Sequence, residues 1–288
     1  MQSPREVKSK IGSVLNTRQI TRAMQMIASI KMAGAQRRMR SFRAYGERAR
    51  HTAQRLVDAT PDYLPPLMAR RDPVRHIGLI VVTTDKGLCG ALNVRLLQAC
   101  VKQMREWEAA GASVHITVVG SKGLAFMRRM GADLMSSAVE LGEPPAFDKL
   151  LGAITQPIAR FIAGELDALY VASNRFVNTL SCTPEVERML PLPPFAADAT
   201  HQRAEAPLFE PDAKPVVDTV LLRYIESMIY QAVVENSACE QCARMVAMKA
   251  ASDNATRVAA DLTLLYHRTR QAAITQEINE IVAGAAAV

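Results

Sequence analysis

The stretch that decides the fold is residues 216–288, VVDTVLLRYIESMIYQAVVENSACEQCARMVAMKAASDNATRVAADLTLLYHRTRQAAITQEINEIVAGAAAV. It contains no proline, and its only glycine is Gly284. Because proline costs about 3 kcal/mol inside a helix, this composition predicts one continuous helix that begins near Pro215. At 1.5 Å per residue that helix would be on the order of 110 Å long, so most of it needs a partner helix outside any compact domain.

The available partner is a second proline-free stretch, from Arg5 to Thr60. Ser3 is a good N-cap, Pro4 suits the first helical position, and Glu6 completes a capping box. Apolar residues follow at steps of three and four, which is typical of a coiled-coil seam. The predicted seam residues on this helix are Val7, Ile11 and Val14 and, after a shift, Ile20, Met24 and Ile27. The apolar residues that run along the last helix are Val217, Leu221, Ile225, Met228, Ile229, Met245, Met248, Leu262, Leu265, Ile274, Ile278 and Ile281.

Between the two helices, proline and glycine recur at short intervals, and strand-like and helix-like segments alternate. The predicted strands are 76–83, 115–119, 168–173 and 176–183, and the predicted helices are 90–110, 121–130 and 147–164. The expected fold class is therefore α/β plus a long helical coiled coil: an antiparallel N-/C-terminal helix pair with a Rossmann-like, largely parallel α/β domain inserted between its helices. The expected segments are an N-terminal helix (1–60), a linker (61–75), the α/β domain (76–195), a Pro-rich loop (196–214) and a C-terminal helix (215–288).

Positive charge is concentrated at the beginning of the chain. Residues 1–55 hold thirteen Lys and Arg against two acids, a net charge of +11, whereas the whole chain carries +7. A basic helix suits an acidic partner: nucleic acid, lipid headgroups or an acidic protein loop, although a solvated basic face without a fixed partner fits the composition too. A nucleic-acid scaffold remains an alternative, but interleaved aromatic residues and known nucleic-acid-binding motifs are missing.

No run of about 18 uncharged apolar residues is present, so we expect no transmembrane helix. The opening MQSPREVKSK lacks the apolar core of a secretory signal. Five scattered cysteines do not make a disulfide framework, which favours a reducing, cytoplasmic setting.

Two turns invite a nucleotide-site hypothesis, because each places glycine and lysine near a helix N-terminus: TDKGLCG (84–90) and GSKG (120–123). Neither matches a phosphate-binding motif, and a tight strand-to-helix connection explains both more simply. Cys239 and Cys242 lack the further ligands of a zinc site and lie inside a helix, where packing is the simpler role. We therefore expect no catalytic residue, cofactor or metal, although a free-standing α/β nucleotide-binding enzyme remains an alternative.

Three separated segments resemble the gamma subunit of F-type ATP synthase, in the right order and across the whole chain: SKIGSVLNTRQITRAMQMIASIKMAGAQRRM (9–39), TTDKGLCGALN (83–93) and the end from Ala243. LPLPP (190–194) and FEPD (209–212) fit as well. The lack of a presequence resembles bacterial members. The resemblance implies a non-catalytic central shaft, present once per complex, that couples proton-driven rotation of a membrane ring to ATP synthesis or hydrolysis and regulates ATPase activity and proton flow.

The resemblance also implies partners: the alpha and beta subunits of the catalytic head, the epsilon subunit and the c-ring, on the cytoplasmic face of the bacterial inner membrane and with no nucleic acid. Carried over to this sequence, the contacts with the alpha–beta ring are Arg18, Arg22, Met24, Lys31, Arg244, Gln271, Thr275, Glu277, Ile281, Val282 and Val288. The foot contacts, with the c-ring and epsilon, are Phe209, Glu210 and Pro211. The uncharged tip from Ile281 to Val288 corresponds to the end seated in an apolar bearing.

Overall fold

The computed structural model describes residues 3–195, 209–210 and 212–286. The elements, in chain order, are α1 (Pro4–Asp58), a short 3-10 helix (Pro66–Met68), β1 (His76–Val82), α2 (Leu92–Ala109), β2 (Ser113–Val119), α3 (Ser121–Arg129), β3 (Leu134–Ala138), α4 (Phe147–Ala163), β4 (Ala168–Asn178), β5 (Ser181–Leu190) and α5 (Ala213–Ala286). The chain divides into two compact units, one of Met1–Ile30 with Arg244–Val288 and one of Lys31–Ala243. This division cuts through both long helices, so the five segments of the sequence analysis stay predictions.

The sheet has the order β3-β2-β1-β4-β5. The pairs β1–β2, β1–β4 and β2–β3 are parallel, and β4–β5 is antiparallel. Strand β1 is buried from Ile77 to Val82, as expected for a central strand covered on both faces. The predicted largely parallel sheet is confirmed.

One strand prediction is wrong, and one strand was not predicted. The predicted strand 176–183 is instead the end of β4, a turn at Thr179 and Leu180, and the start of β5, which continues to Leu190. Pro184 made the segment look unlike a strand. An edge strand tolerates proline, however, because the backbone groups on its outer side form no hydrogen bonds with another strand. Strand β3, LMSSA, was missed because it is a short and partly polar edge strand with little apolar signal.

Within the larger unit, the two faces of the sheet pack in separate clusters. Leu79 and Val81 face α2 and α3, and they pack with Leu96, Ile116 and Met127. Ile80 and Val82 belong to the other cluster, which combines α4 with the later part of α1 and the first part of α5. The alternation of side chains along β1 therefore joins the sheet to the helix pair.

The long helices run antiparallel. In the larger unit, Arg43 Nη2 on α1 lies 2.8 Å from Glu235 Oε1 on α5. Tyr63, which follows the end of α1, donates a hydrogen bond from its hydroxyl to Asp218 on α5 at 2.7 Å. The residue numbers therefore rise along one helix as they fall along its partner.

The capping box predicted at the start of α1 is confirmed. The Glu6 N–H donates to Ser3 Oγ and the Ser3 N–H donates to Glu6 Oε2, both at 3.3 Å.

In the smaller unit, the predicted shift of the seam is wrong. Ile20 and Ile27 are 60% and 55% exposed, whereas Thr21 and Ala28 are 8% and 1% exposed. The seam that starts at Val7 continues without a shift, because Thr21 and Ala28 follow Val14 at steps of seven. On α5, Met248 and Ala255 are buried, whereas the apolar side chains of Leu265, Ile274, Ile278 and Ile281 are exposed.

Candidate partner-contact surfaces

The basic part of α1 forms one wall of a surface hollow in the smaller unit. Arg18, Arg22 and Gln25 line it from α1, and Ser252, Asp253 and Thr256 line it from α5. Arg22 is exposed, and Arg18 and Met24 are half-buried. The hollow therefore presents two guanidinium groups against one carboxylate, which suits an acidic partner.

An apolar strip lies beside these charges and was missed from the sequence. Ile20, Met26, Ile27 and Ile30 are all more than half exposed. Their spacing of three, four and seven puts them on neighbouring parts of one helix face, away from the seam. A contiguous run of exposed aliphatic side chains is typical of a protein interface. Two of these residues, Ile20 and Ile27, were predicted to lie in the seam, so their exposure could not be predicted from the apolar spacing alone.

Lys31, in the larger unit, contacts the chain's own acid. Its ammonium lies 2.5 Å from Glu143 Oε2, and Gln241 Nε2 donates to Glu143 Oε1 at 2.8 Å. Both charged side chains are partly exposed. Since a partly exposed pair is worth little, about 0–1 kcal/mol, an acidic partner could compete for this lysine.

The last part of α5 is uncovered. Gln271, Thr275 and Glu277 are exposed, and Ile281 and Val282 are 70% and 62% exposed. From 274 to 283 every described side chain is exposed. Val288 lies outside the described residues. Exposed isoleucine and valine near the end of a helix favour burial in a partner, at about 25 cal/mol for each Å² removed from water.

The remaining predicted contacts differ in exposure. Arg244 is 9% exposed, so little of it faces solvent in the isolated chain. Phe209 is half-buried and packs against the core of the larger unit, while Glu210 beside it is exposed. Pro211 lies outside the described residues. Among the described residues, those predicted as ring contacts thus lie on α1 and α5, and Phe209 and Glu210, predicted as foot contacts, lie just before α5 starts.

The two turns that suggested a nucleotide site contact each other. Asp85, in the first turn, accepts hydrogen bonds from the backbone N–H and the hydroxyl of Ser121, both at 2.9 Å. Ser121 opens α3, so the chain's own carboxylate occupies the position where that helix N-terminus would attract an anion.

The glycines of the second turn are explained by close packing. Gly120 has φ +96°, and a Cβ there would lie 2.5 Å from the Thr83 carbonyl oxygen. At Gly123 a Cβ would lie 2.7 Å from Thr83 Oγ1, which accepts a hydrogen bond from the Gly123 N–H at 2.9 Å. Glycine is therefore required by the contact between α3 and the end of β1, without any ligand.

The crevice that usually binds nucleotides in such a sheet is filled by α5. That crevice lies at the carboxyl ends of the strands, where the strand order reverses, here between β1 and β4. Asn174 Nδ2 donates to Asn236 Oδ1 at 2.8 Å, and the Phe176 N–H donates to Glu235 Oε1 at 2.9 Å. Cys89 and Cys239 share a buried cluster at the same edge. These contacts place α5 against that edge of the sheet, in the position that a bound nucleotide would take.

A cavity of about 340 Å³ beside this crevice has the wrong charge for phosphate. Four carboxylates and one lysine are among its lining residues: Asp85, Glu140, Glu143, Glu240 and Lys86. A net negative lining repels the phosphates of a nucleotide. The geometry therefore does not favour the alternative of a free-standing nucleotide-binding enzyme.

Across the described ranges, no helix is both long and apolar enough to cross a membrane.

Comparisons with known proteins agree with the helix pair and its inserted sheet. The family model described as ATP synthase matches residues 3–288. The ATP synthase gamma chain of Ralstonia nicotianae is 51% identical over 292 residues, and that of Thiobacillus denitrificans is 49% identical over 290, with all of both chains covered in each case.

Solved structures show the same fold. A chain of the Euglena gracilis mitochondrial ATP synthase rotor has a TM-score of 0.66 at 19% identity and covers 94% of this chain and 98% of that one. A chain of the Tetrahymena thermophila mitochondrial ATP synthase central stalk and c-ring has a TM-score of 0.58 at 25% identity, covering 81% and 99%. With half of its residues identical to those gamma chains over its full length, this chain belongs to the ATP synthase gamma chain family.

Proposed function

We propose that this gamma chain is the central shaft that couples rotation of a proton-driven membrane ring to ATP synthesis or hydrolysis in the catalytic head, and that it regulates ATPase activity and proton flow. It is a non-catalytic subunit. The observation that carries the proposal is the helix pair of the smaller unit, which leaves Ile20, Ile27, Ile281 and Val282 exposed off its seam. A protein surface of this kind acts through a partner that covers it.

The proposed contacts with the alpha and beta subunits fall into a charged group and an apolar group. Arg18, Arg22 and Lys31 suit an acidic loop, and Met24 lies among them. Gln271, Thr275 and Glu277 offer exposed hydrogen-bonding groups on α5, and Ile281, Val282 and Val288 suit an apolar sleeve. Arg244 completes the set from a buried position on α5, where it supports the shaft.

A shaft inside a ring of repeated subunits must present different faces to each of them. Here one face of α1 carries arginines and the neighbouring face carries isoleucines, while the end of α5 carries neither Lys nor Arg after Arg270. A single copy of such a chain gives each surrounding subunit a different surface. That asymmetry is the physical basis on which rotation would change the nucleotide affinity of each catalytic site in turn.

The foot contacts are proposed for Phe209, Glu210 and Pro211, which would meet the c-ring and the epsilon subunit. Phe209 is anchored by packing in the larger unit, so an attached partner would be held firmly against that unit. We place the chain as a peripheral subunit on the cytoplasmic face of a bacterial inner membrane, because the curated relatives described above are bacterial.

Co-expression with matching alpha and beta chains tests the proposal. We expect the three chains to purify as one complex with ATPase activity that neither alpha nor gamma has alone. Recovery of this chain by itself at every ratio of the partners would overturn the proposal.

Two further assays separate the alternatives. Calorimetry of the isolated chain with ATP or NAD should give flat heats, because α5 fills the crevice, and saturable binding would favour the enzyme hypothesis instead. A steep, salt-dependent association with DNA that survives addition of alpha and beta would favour the nucleic-acid scaffold.

A further inference from the structure

Three cysteine thiols meet where α5 crosses the hairpin formed by β4 and β5. Cys239 and Cys242 lie one turn apart on α5, and Cys182 is the second residue of β5, paired with Phe176 of β4. Cys182 packs against the buried cluster that contains Cys239, and its thiol interacts with the thiols of both helix cysteines. All five cysteines of the chain are free.

The helix cysteines also bind the hairpin backbone. Cys239 Sγ donates to the Asn174 carbonyl at 3.3 Å, and Cys242 Sγ donates to the Thr179 carbonyl, in the hairpin turn, at 2.5 Å. Thiols are weak donors, so these bonds hold the hairpin to α5 only loosely. The three sulfurs therefore sit at a junction that a covalent bond would change substantially.

Exposure distinguishes the three thiols. Cys239 and Cys242 are 0% and 2% exposed, whereas Cys182 is half-buried and can be reached from solvent. Cys239 belongs to a closed cluster with Cys89 and Leu92, and Cys242 lies outside that cluster. Cys182 is thus the thiol that an external reagent meets first, and Cys242 is the neighbour that moves with less loss of packing.

We propose that Cys182 and Cys242 form a reversible disulfide that ties the β4–β5 hairpin to α5 when a low-molecular-weight disulfide, such as glutathione disulfide, is present. The Cys182 thiolate attacks one sulfur of the external disulfide, forms a mixed disulfide and releases one small thiol. The Cys242 thiolate then attacks the Cys182 sulfur and releases the second small thiol. Two electrons pass from the protein thiols to the external disulfide, which ends as two thiols.

The surroundings keep both thiols protonated near neutral pH. The hydrogen bond with Cys239, together with burial and the nearby charge of Glu235, raises the pKa of the Cys182 thiol to about 12. The hydrogen bond with Cys182 and burial raise the pKa of Cys242 as well. Because only the thiolate reacts, exchange is slow near neutral pH and faster in alkaline buffer.

No group of three His, Cys, Asp or Glu side chains in the described ranges is arranged to hold a metal ion, so metal binding is not the explanation for the cluster.

Peptide mapping of the full chain tests the proposal. The protein is incubated at pH 8.5 with glutathione disulfide or with dithiothreitol, blocked with an alkylating reagent, and digested with trypsin without reduction. We expect the peptide 176–188 to be linked to the peptide 224–244 in the oxidised sample only. The link should be lost in Cys242→Ser, which should retain a glutathione adduct on Cys182, and should persist in Cys239→Ser. Cys100→Ser, a buried cysteine in the separate α2 cluster, is the matched control and should behave as the parent chain.

Thermal unfolding gives a second readout. Since the disulfide would close the long loop between 182 and 242, we expect the oxidised chain to unfold roughly 5 °C higher or more, and dithiothreitol to reverse the shift. The proposal is overturned if no linked peptide forms, if only a bond within 224–244 forms, if the link is lost in Cys239→Ser but kept in Cys242→Ser, or if the oxidised chain melts no higher.

Discussion

At the scale of single residues, a few polar contacts fix the joints of the α/β domain. Asp167 Oδ2 accepts hydrogen bonds from the backbone N–H groups of Arg75 and His76, at 2.7 and 2.8 Å, just where β1 begins. Partial burial by itself would raise the pKa of this carboxyl, but the two N–H groups and the nearby His76 and Arg71 outweigh it and lower the pKa. Asp167 therefore stabilises the fold as an anion.

We expect Asp167→Ala to lower the free energy of unfolding by about 1–2 kcal/mol at pH 7, because two backbone donors lose a charged acceptor. A carboxyl whose pKa is lower in the folded chain contributes its stability above the unfolded value of 3.8 and loses it as pH falls through the folded pKa. Urea unfolding at several pH values should therefore show the gap between parent and variant closing below about pH 4. Asp62→Ala, at an exposed position, is the control and should show little gap at any pH.

Replacing glycine by alanine should have opposite effects on stability at two positions. Gly123→Ala should destabilise the chain by roughly 1–3 kcal/mol, because the new Cβ meets Thr83 and Val118 at 2.7–3.0 Å. Gly152→Ala, inside α4 with nothing within 4 Å, should stabilise it by about 0.5–1 kcal/mol. Chemical denaturation of both variants is the measurement, and equal effects at the two positions would contradict the packing account.

At the scale of elements, the seam between the long helices is built from small residues where it is tightest. Thr21 and Ala28 on α1, and Ser252 and Ala255 on α5, are buried. Apolar spacing alone gives weight to isoleucine and methionine, and for that reason it predicted a seam at Ile20 and Ile27. The continuous seven-residue spacing from Val7 was the better guide, because helix geometry fixes the contact face regardless of side-chain size.

Adjacent substitutions distinguish the two seams. Ala28→Gln should destabilise the chain by about 1–3 kcal/mol, because the larger side chain must enter a closed contact. Ile27→Gln should change stability by no more than about 0.5 kcal/mol, since the side chain is exposed in the isolated chain. Circular dichroism during thermal unfolding measures both. A larger loss at Ile27 than at Ala28 would restore the shifted seam.

Most of the α/β elements were predictable, and the failures have physical reasons. Strand β1 is an apolar run flanked by polar residues, and α4 has a clear apolar stripe. Strand β3 has two serines in five residues. The hydroxyl of one of them, Ser136, forms a hydrogen bond with the Thr117 hydroxyl at 2.8 Å. That partner is in β2, so no local pattern could have revealed it.

At the scale of the whole molecule, the family could be identified from the sequence because the three matching segments span the chain in order. The exposed strip on α1 could not, because exposure depends on which face the partner helix covers. The predicted contact residues lie on separate elements, and only the structure shows that Lys31 contacts Glu143 while Arg244 is buried. The contact roles themselves remain predictions that assembly experiments must test.

The end of α5 offers the clearest such experiment. Ile281→Asp combined with Val282→Asp should leave the isolated chain's unfolding unchanged, because both side chains are exposed there. The same variant should weaken recovery of the complex with alpha and beta and lower its ATPase activity, because two carboxylates would have to leave water. Gln276→Glu combined with Asn279→Asp adds equal charge at exposed polar positions and serves as the control. Undiminished assembly of the first variant would exclude an apolar seat for the tip.

The position of Asp85 has a consequence for a subunit of an ATP synthase complex. A free helix N-terminus beside glycine and lysine would bind phosphate compounds. The turn before the helix would then become more or less ordered as the concentrations of ATP and phosphate changed. Since the Asp85 side chain already accepts hydrogen bonds from the Ser121 N–H and hydroxyl, an anion from solution finds this position occupied. We therefore expect the shape of this joint not to depend on the concentration of free phosphate compounds.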